Sequence, residues 1–253
     1  MLSDLRYRLR RMLTHAAALL PSFCALCGAA GNDAICGACH ARFFAVRRPR
    51  CRQCALPLSA PMAAPADDAA TCGACLRDPP GFDAAIAAAD YAPPLDQLVL
   101  ALKFGGRLAL APLLARTLRD AVLDVQHHAH GLPMRLTAVP LGARRLAERG
   151  FNQAHEIARP LSRALGIALA PRLAVRERET EAQSLLHPDA RQENMRGAFA
   201  VPETMLAQVE GAHIGIVDDV MTTGQTLNEL ARTLKRAGAA RVTALVFART
   251  LPK

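Results

Sequence analysis

The fold of this 253-residue chain is indicated most clearly by one stretch, Ile214-Gly-Ile-Val-Asp-Asp-Val-Met-Thr-Thr-Gly-Gln-Thr226. An apolar strand at 214–217 leads into two adjacent carboxylates, Asp218 and Asp219. A Thr/Gly turn follows, and then a helix that begins near Gln225. Open α/β sheets bind ligands at the carboxyl ends of their strands, so the stretch predicts a ligand site at that edge.

The turn after the carboxylates has the composition of a phosphate cradle. Backbone N–H groups at a helix start attract anions, Gly224 allows close approach of the backbone, and three Thr hydroxyls add donors. Two carboxylates would repel a phosphate, so we expect them to face ribose hydroxyls or Mg²⁺. The alternative is an acidic strand end that only caps a helix. The candidate binding residues are Asp218, Asp219, Val220, Met221, Thr222, Thr223, Gly224, Gln225 and Thr226.

Strands and helices alternate around this stretch, which predicts an α/β fold with a mainly parallel sheet. A helix with Leu and Val side chains on one face is predicted at 95–102. Pro160 is expected to kink or restart the helix at 154–165, and Gly238 to end the helix at 225–237. The predicted strands lie at 84–91, 136–140, 214–217 and 242–247.

Composition divides the chain into two regions. Residues 1–80 contain every cysteine, and we predict a basic N-terminal helix and a metal-binding module there. Residues 81–253 form the predicted α/β domain. Within it, 81–132 supply the first strand and helices, and 133–253 supply the ligand-binding core. A stretch rich in Pro, Ala and Asp at 59–70 predicts a flexible loop.

The eight cysteines form four C-x-x-C pairs. Each pair turns tightly enough for both sulfurs to face one ion, and two pairs complete a tetrahedral Cys₄ shell. We therefore predict two structural zinc ions; four thiolates leave no coordination position for water, which argues against catalytic zinc. The candidate ligands are Cys24, Cys27, Cys36, Cys39, Cys51, Cys54, Cys72 and Cys75.

Spacing leaves the pairing and the role of the cysteine module open. Sequential pairing assigns the first four cysteines to one ion and the last four to the other. Interleaved pairing is the alternative, because only eight residues separate Cys27 from Cys36. Zinc either replaces a core too small to stabilise this segment or supports a recognition surface. The arginines of such a surface would be Arg42, Arg47, Arg48, Arg50 and Arg52.

Composition excludes several classes of protein. Hydrophobic residues make up 51% of the chain, which excludes general disorder. Aromatic residues make up 4%, which argues against a single-strand nucleic-acid surface built from stacked rings. The formal charge of +9 falls to about +5 if two Cys₄ zinc sites form. The remaining positive charge favours the approach of phosphorylated ligands or DNA.

The N-terminus carries four arginines before a short apolar stretch at 13–20. A signal peptide is the alternative, but the stretch contains His15 and lacks a clear small-x-small cleavage site before Pro21. We therefore predict a basic amphipathic helix, a cytoplasmic protein without a membrane span, and cysteines that bind metal in a reducing compartment. His127, His128 and His130 are interpreted as a solvated turn, because no acidic residue or cysteine accompanies them.

The stretch at 214–226 resembles the 5-phosphoribosyl 1-pyrophosphate (PRPP) loop of type I phosphoribosyltransferases; it is not a nucleotide P-loop, because no Gly-Lys-Ser/Thr follows. Nearly the whole chain from Cys24 is similar to the ComF family, which joins an N-terminal zinc-binding segment to a phosphoribosyltransferase domain and is associated with DNA uptake in natural transformation. The similar segments are Val139-Pro-Leu-Gly-Ala-Arg-Arg-Leu-Ala-Glu-Arg-Gly-Phe-Asn-Gln153 and Arg176-x-Arg178-x-Thr180-x-x-Gln183, followed by Arg191, Asn194 and Gly197-Ala-Phe199.

The resemblance implies a Rossmann-like type I phosphoribosyltransferase fold with a double zinc ribbon, and a role for each site residue. Asp218 and Asp219 would hold the ribose hydroxyls directly or through Mg²⁺, and the Thr/Gly turn would hold the 5-phosphate. Arg144 and Arg145 would neutralise the negative charge of the pyrophosphate as it leaves. The displacement at the anomeric carbon of the ribose would be oxocarbenium-like. Lys103 either faces this site or lies exposed at a helix end.

The resemblance leaves two roles for the arginine-rich segment at 176–199. It is either a lid that closes over PRPP and excludes water, or a track for a DNA backbone. The arginines concerned are Arg176, Arg178, Arg191 and Arg196. Two functions follow: an enzyme that transfers phosphoribosyl from Mg-PRPP to an acceptor, or a non-catalytic competence factor that binds single-stranded DNA and competence proteins and uses the PRPP fold as a sensor or scaffold.

Overall fold

The computed structural model describes residues 22–45, 48–58, 70–126, 131–178 and 197–251. Several predictions from the sequence lie outside these ranges. They are the basic N-terminal helix, the loop at 59–69, the turn with His127, His128 and His130, and the side chains of Arg47, Arg191 and Arg196.

The described residues divide into two compact units, one ending at residue 47 and one beginning at Arg48. The first unit contains β1 (Ser22–Phe23), β2 (Ala30–Gly31) and α1 (Gly37–Phe43), and its two strands pair antiparallel. The second four cysteines therefore lie in the same unit as the sheet described below. The domain boundary near residue 80 stays a prediction.

The second unit alternates helices and strands as the sequence indicates. In chain order its elements are α2 (Gly73–Arg77), β3 (Ala84–Asp90), α3 (Leu95–Lys103), a 3₁₀ turn (Leu108–Leu110), α4 (Ala111–Gln126), β4 (Arg135–Ala138), α5 (Ala143–Arg149), α6 (Gln153–Leu165), β5 (Ala168–Leu169), β6 (Val175–Arg176), β7 (Phe199–Ala200), a second 3₁₀ turn (Glu203–Met205), α7 (Leu206–Val209), β8 (His213–Met221), α8 (Gln225–Arg236) and β9 (Arg241–Arg249).

Five strands form one parallel sheet in the order β3-β9-β8-β4-β5, which confirms the predicted sheet. Its centre is the core: Ile214, Ile216, Val217, Leu245 and Phe247 are fully buried. Helix α4 packs against β3 and β9, and α6 packs against β8, β4 and β5. Among the described residues, no helix has the length and apolar character needed to cross a bilayer.

Two elements differ from their predicted form. Helix α6 continues without a break through Pro160, so the expected restart does not occur. Ala154, Ile157 and Leu161 are buried on its inner face, and this packing offsets the one backbone hydrogen bond that proline removes. Strand β8 extends beyond the predicted 214–217 to Met221, because it pairs with β9 along its whole length. The two carboxylates therefore lie within the strand.

Gly215 lies where β8 is most tightly packed. A Cβ atom there would lie 2.6 Å from Leu136 Cδ2 and 3.0 Å from Pro133 Cγ. We expect Gly215→Ala to lower the free energy of unfolding by about 1–3 kcal/mol, the usual cost of overpacking a core, as measured by urea denaturation. Gly31→Ala is the matched control, because a Cβ at Gly31 would meet nothing within 4 Å. Equal stability of the two variants would contradict the expected packing.

Candidate functional site

The two carboxylates of β8 lie at the carboxyl end of the sheet in different surroundings. Asp219 is 2% exposed, whereas Asp218 is half-buried and accepts a hydrogen bond of 2.8 Å from the Asp219 backbone N–H. Burial raises the pKa of Asp218 well above its usual value, and the nearby charge of Asp219 raises it further. Placing the two carboxylates side by side therefore costs free energy through charge repulsion, which is typical of functional sites.

Lys103, the last residue of α3, supplies a positive charge to this pair. Its Nζ lies 3.2 Å from Asp219 Oδ2, so the structure places Lys103 at the site and not at an exposed helix end. Asp219 Oδ2 is buried and accepts no hydrogen bond of good geometry from the described residues. An acceptor in this state fits a hydroxyl donor or a divalent cation brought by a ligand.

The turn between β8 and α8 leads directly from the strand into the helix. Thr222 and Thr223 are exposed, and Gly224 adopts a left-handed conformation with φ of 83° immediately before the first residue of α8. The Thr223 hydroxyl accepts a hydrogen bond of 3.4 Å from the Gln225 N–H. The positive end of this twelve-residue helix thus meets two exposed hydroxyls, a combination that attracts anions.

The turn after β4 lies at the same edge of the sheet. Ala138 pairs with Val217, so the chain that follows β4 starts level with Asp218. Asn152 fixes this turn from the other side: its Nδ2 donates to the Val139 carbonyl at 3.0 Å, and its Oδ1 caps α6 by accepting from the Ala154 N–H at 3.0 Å. The turn after β4 is thereby tied to the strand end. Arg144 and Arg145, which are predicted to lie in this turn, lie instead in the first turn of helix α5 (Ala143–Arg149).

The eight cysteines form two clusters with sequential pairing. Cys24, Cys27, Cys36 and Cys39 form one cluster, and Cys51, Cys54, Cys72 and Cys75 form the other; within each, the sulfurs lie within 4.8 Å of one another. The Cys27–Cys36 and Cys54–Cys72 sulfur distances are 3.7 and 3.6 Å. Four Zn–S bonds of ~2.3 Å would hold sulfurs about 3.8 Å apart, so both clusters fit structural zinc.

The thiols of the second cluster do not favour a common charge state by themselves. A hydrogen bond from the Cys54 thiol lowers the pKa of Cys51 to about 4, whereas burial raises the pKa of Cys75 to about 12. A bound divalent cation would offset the repulsion among four thiolates and deprotonate them all. The chemistry of the donors therefore agrees with their geometry.

Comparison with known proteins finds a matching domain family for each of the two regions of the chain. The phosphoribosyl transferase domain family matches residues 147–251, and the double zinc ribbon domain family matches residues 15–76. The DNA utilization protein YhgH of Salmonella typhi is 39% identical over 237 residues, covering 92% of this chain and 99% of that protein. Competence protein F of Haemophilus influenzae is 34% identical over 168 residues, or 66% of this chain and 73% of that protein.

This chain belongs to the ComF family. It has a phosphoribosyltransferase domain with a parallel sheet and an N-terminal double zinc ribbon, as the sequence predicts. Among solved structures, glutamine PRPP amidotransferase from B. subtilis, in complex with ADP and GMP, matches with a TM-score of 0.36 and 18% identity over 55% of this chain and 26% of that one.

The arginines after β4 occupy different positions in this ComF-family chain. Arg144 is exposed and pairs with Glu148 at 2.9 Å, one helical turn away. Arg145 is half-buried, and its charge helps to lower the pKa of Arg149, although burial of Arg149 is the larger cause. Asp219 acts on Arg149 in the opposite direction, so Asp219 and Arg145 both lie within electrostatic range of Arg149.

The arginine-rich segment begins and ends in a two-stranded ribbon. Strand β6 pairs antiparallel with β7, and these strands flank residues 177–198. The Arg176 guanidinium lies 5.4 Å from the centre of the Phe199 ring, and its Nε donates to the Arg178 carbonyl at 3.3 Å. Arg176 and Arg178 therefore lie together at the base of the segment.

Arg50, one of the arginines of the predicted recognition surface, makes two polar contacts within the fold. Its guanidinium pairs with Asp90 at 2.6 Å and donates to the Ala55 carbonyl at 3.0 Å. The side chain thus links the second cysteine cluster to the end of β3. The recognition surface that includes Arg50 stays a prediction.

Two arginines at the site have no role in the sequence analysis. Arg149 lies within the segment 139–153, and its guanidinium is 5.5 Å from the centre of the Phe104 ring. Arg249 is 7% exposed at the end of β9. The sequence does carry a signal for Arg249, because this charged residue directly follows the mainly apolar run 242–248.

The raised pKa of Asp218 predicts a dependence of stability on pH. The folded state binds this proton more tightly than the unfolded chain, where the pKa is about 3.9. The corresponding stability is complete below about pH 4 and is lost as pH rises through the raised pKa. We expect the wild type to lose stability relative to Asp218→Asn as the pH rises from about 4 through the raised pKa of Asp218, as measured by thermal unfolding.

The Asp218→Asn comparison removes the contribution of the cysteines, because both proteins carry the same two clusters. Asp219 and Lys103 face Asp218 in both proteins as well. Unfolding temperatures that change in parallel with pH would contradict the expected effect.

Proposed function

We propose that this ComF-family chain binds Mg-PRPP and transfers its phosphoribosyl group to an acceptor. One observation carries the proposal: a buried carboxylate oxygen of Asp219, which forms an ion pair with Lys103 but accepts no hydrogen bond from the described residues, lies one short turn before the start of α8. This arrangement offers an acceptor to the ribose or its magnesium and an anion site to the 5-phosphate.

Each part of PRPP contacts a different group of residues. Asp218 and Asp219 hold the ribose hydroxyls, directly or through the magnesium of the substrate, and the backbone and hydroxyls of 222–226 hold the 5-phosphate. Arg144 and Arg145 approach the pyrophosphate from the first turn of α5, which follows the turn after β4. In the transfer, the bond from ribose C1 to the pyrophosphate oxygen breaks, and its electron pair leaves with pyrophosphate. The acceptor forms the new bond to C1 and gives up a proton.

Calorimetric titration of the zinc-loaded chain tests the proposal with three probes in magnesium buffer: PRPP, ribose 5-phosphate and pyrophosphate. We expect PRPP to bind more tightly than either fragment, because it contacts the α8 loop and the β4 turn together. Absence of PRPP binding, or equal binding of pyrophosphate alone, contradicts the assignment. Release of pyrophosphate upon addition of acceptors then separates an enzyme from a ligand sensor.

Single-stranded DNA binding is a second candidate function. It is favoured by the names of two relatives, a DNA utilization protein and a competence protein, and by the adjacent arginines at the base of the 177–198 segment. Arg176 and Arg178, with Arg191 and Arg196 farther along, would contact the DNA backbone.

Salt dependence distinguishes this binding from readout of bases. We expect the logarithm of affinity for a fluorescent oligonucleotide to fall with the logarithm of salt concentration, with a slope of about −0.7 per phosphate contact. Arg176→Gln/Arg178→Gln should reduce the slope by about 1.4. The exposed Arg116→Gln is the control for a general loss of charge. Affinity that does not vary with salt contradicts a backbone track.

A further inference from the structure

Arg249 is a buried cation that has no carboxylate partner among the described residues. It is 7% exposed and follows the buried residues 242–248 of β9. Burying a guanidinium is costly unless its donors are used. Its hydrogen bonds are therefore the key to its role.

The guanidinium of Arg249 joins two separate parts of the second unit. Its Nε donates to the Cys54 carbonyl at 3.0 Å, inside the second cysteine cluster. One terminal nitrogen donates to the Met221 carbonyl at 3.0 Å, to the Thr222 carbonyl, and to the Thr250 carbonyl at 2.9 Å. The same side chain thus contacts both the Cys51-x-x-Cys54 turn, here called the zinc knuckle, and the loop that precedes α8.

The contacts to the loop determine which way its backbone amides point. In a trans peptide the C=O and the following N–H lie in one plane and point in opposite directions. Carbonyls of Met221 and Thr222 that point at Arg249 therefore turn the N–H groups of Thr222 and Thr223 away from it. The same contacts hold two carbonyl oxygens away from the surface on which an anion would bind.

The zinc knuckle is itself fastened to the sheet beside Arg249. The Ala85 N–H of β3 donates to the Arg52 carbonyl at 3.0 Å, and Arg50 pairs with Asp90 at 2.6 Å. Asp90 is the register partner of Arg249 across β3 and β9. Because these contacts join the knuckle to β3 next to Arg249, a shift of the knuckle would also move Arg249.

We propose that Arg249 is a positioning residue that couples the second zinc site to the geometry of the 221–224 loop. A zinc ion on Cys51, Cys54, Cys72 and Cys75 fixes the Cys54 carbonyl, Arg249 bridges from that carbonyl to the loop, and the loop amides are held outward. The consequence for PRPP affinity rests on the proposed function; the coupling itself does not.

Hydrogen exchange of the full zinc-loaded chain measures the coupling without a ligand. Two amides report on the loop: Thr250, which donates to the Met221 carbonyl at 3.0 Å, and Asn228, which donates to the Gly224 carbonyl at 2.8 Å. We expect both to exchange about tenfold faster in Cys72→Ser, which disrupts the second cluster, and to stay unchanged in Cys36→Ser, which disrupts the first. Equal effects of the two variants, or none, overturn the proposal.

Variants of Arg249 test whether this side chain carries the coupling between the zinc site and the loop. Arg249→Gln should accelerate exchange at Asn228 about tenfold while zinc content stays at two ions, and Arg249→Lys, which keeps the charge but not the fork, should give an intermediate rate. A merely structural Arg249 would change the unfolding temperature without this localised change. Wild-type exchange at Asn228 in both variants overturns the proposal, and the cysteine pair decides the matter if Arg249→Gln does not fold.

Calorimetry with Mg-PRPP separates this inference from the proposed function. If the wild type binds, Arg249→Lys should weaken binding about tenfold, and the exposed Arg116→Lys should not. Unweakened binding in Arg249→Lys overturns the inference and leaves the proposed function standing. If the wild type does not bind, the proposed function fails, and the exchange rates still decide the coupling.

Discussion

The variant Asp218→Asn/Asp219→Asn is expected to bind Mg-PRPP about 100-fold more weakly than the wild type, a loss of about 2.7 kcal/mol. Neutral amides cannot hold the magnesium of the substrate as carboxylates do, and they present N–H donors where hydroxyl donors of the ribose are expected. Calorimetric titration of both proteins measures the difference.

Loss of folding would not account for this result. The unfolding temperature of the variant is measured beside its affinity, because the substitution relieves the repulsion between the two carboxylates of β8 and also removes the ion pair of Asp219 with Lys103. Asp120→Asn is the matched control, because Asp120 pairs with Arg119 at the surface and should leave binding unchanged. Equal affinities of the double variant and the wild type would show that the carboxylate pair is not the ribose site.

Zinc analysis is expected to give close to two ions per chain, and one ion in either Cys39→Ser or Cys75→Ser. Structural zinc contributes about 10–16 kcal/mol of binding free energy in small zinc modules, so the loss of one thiolate should cost several kcal/mol of stability. Elemental analysis after removal of loosely held metal and thermal unfolding of the same samples measure both effects.

The matched control for Cys75→Ser is Ala74→Ser, which alters the exposed neighbouring position in α2 and should keep both ions. Zero or one ion in the wild type would contradict two Cys₄ sites. One ion in the wild type and none in Cys39→Ser would show that only the first cluster binds metal.

The sequence predicted the parts of this chain whose signals are local. C-x-x-C spacing indicated all eight cysteines of the two clusters, because two residues between cysteines bring their sulfurs close together. The apolar runs identified the buried strands, and Gly238 marked the end of α8 through its left-handed backbone, with φ of 96°. The Thr/Gly turn before α8 is local as well, since a phosphate cradle is made from consecutive backbone groups.

Prediction from the sequence failed where the length or continuity of one element depends on its contacts with another element. The carboxylates were expected beyond a strand ending at Val217, but β8 continues to Met221 because β9 offers pairing partners that far. Pro160 was expected to interrupt a helix, but packing of the inner face of α6 against the sheet maintains it.

By itself the sequence determined the four C-x-x-C pairs, the alternation of strands and helices, and the composition of the Thr/Gly turn before α8, since each depends on residues close together in the chain. Only the tertiary structure decided the sequential pairing of the cysteine clusters, the contact of Lys103 with Asp219, and the bridge from Arg249 to Cys54. The partners in those last two contacts are 116 and 195 positions apart in the sequence. Periodicity reports whether a residue is buried, but strand order decides what it meets there.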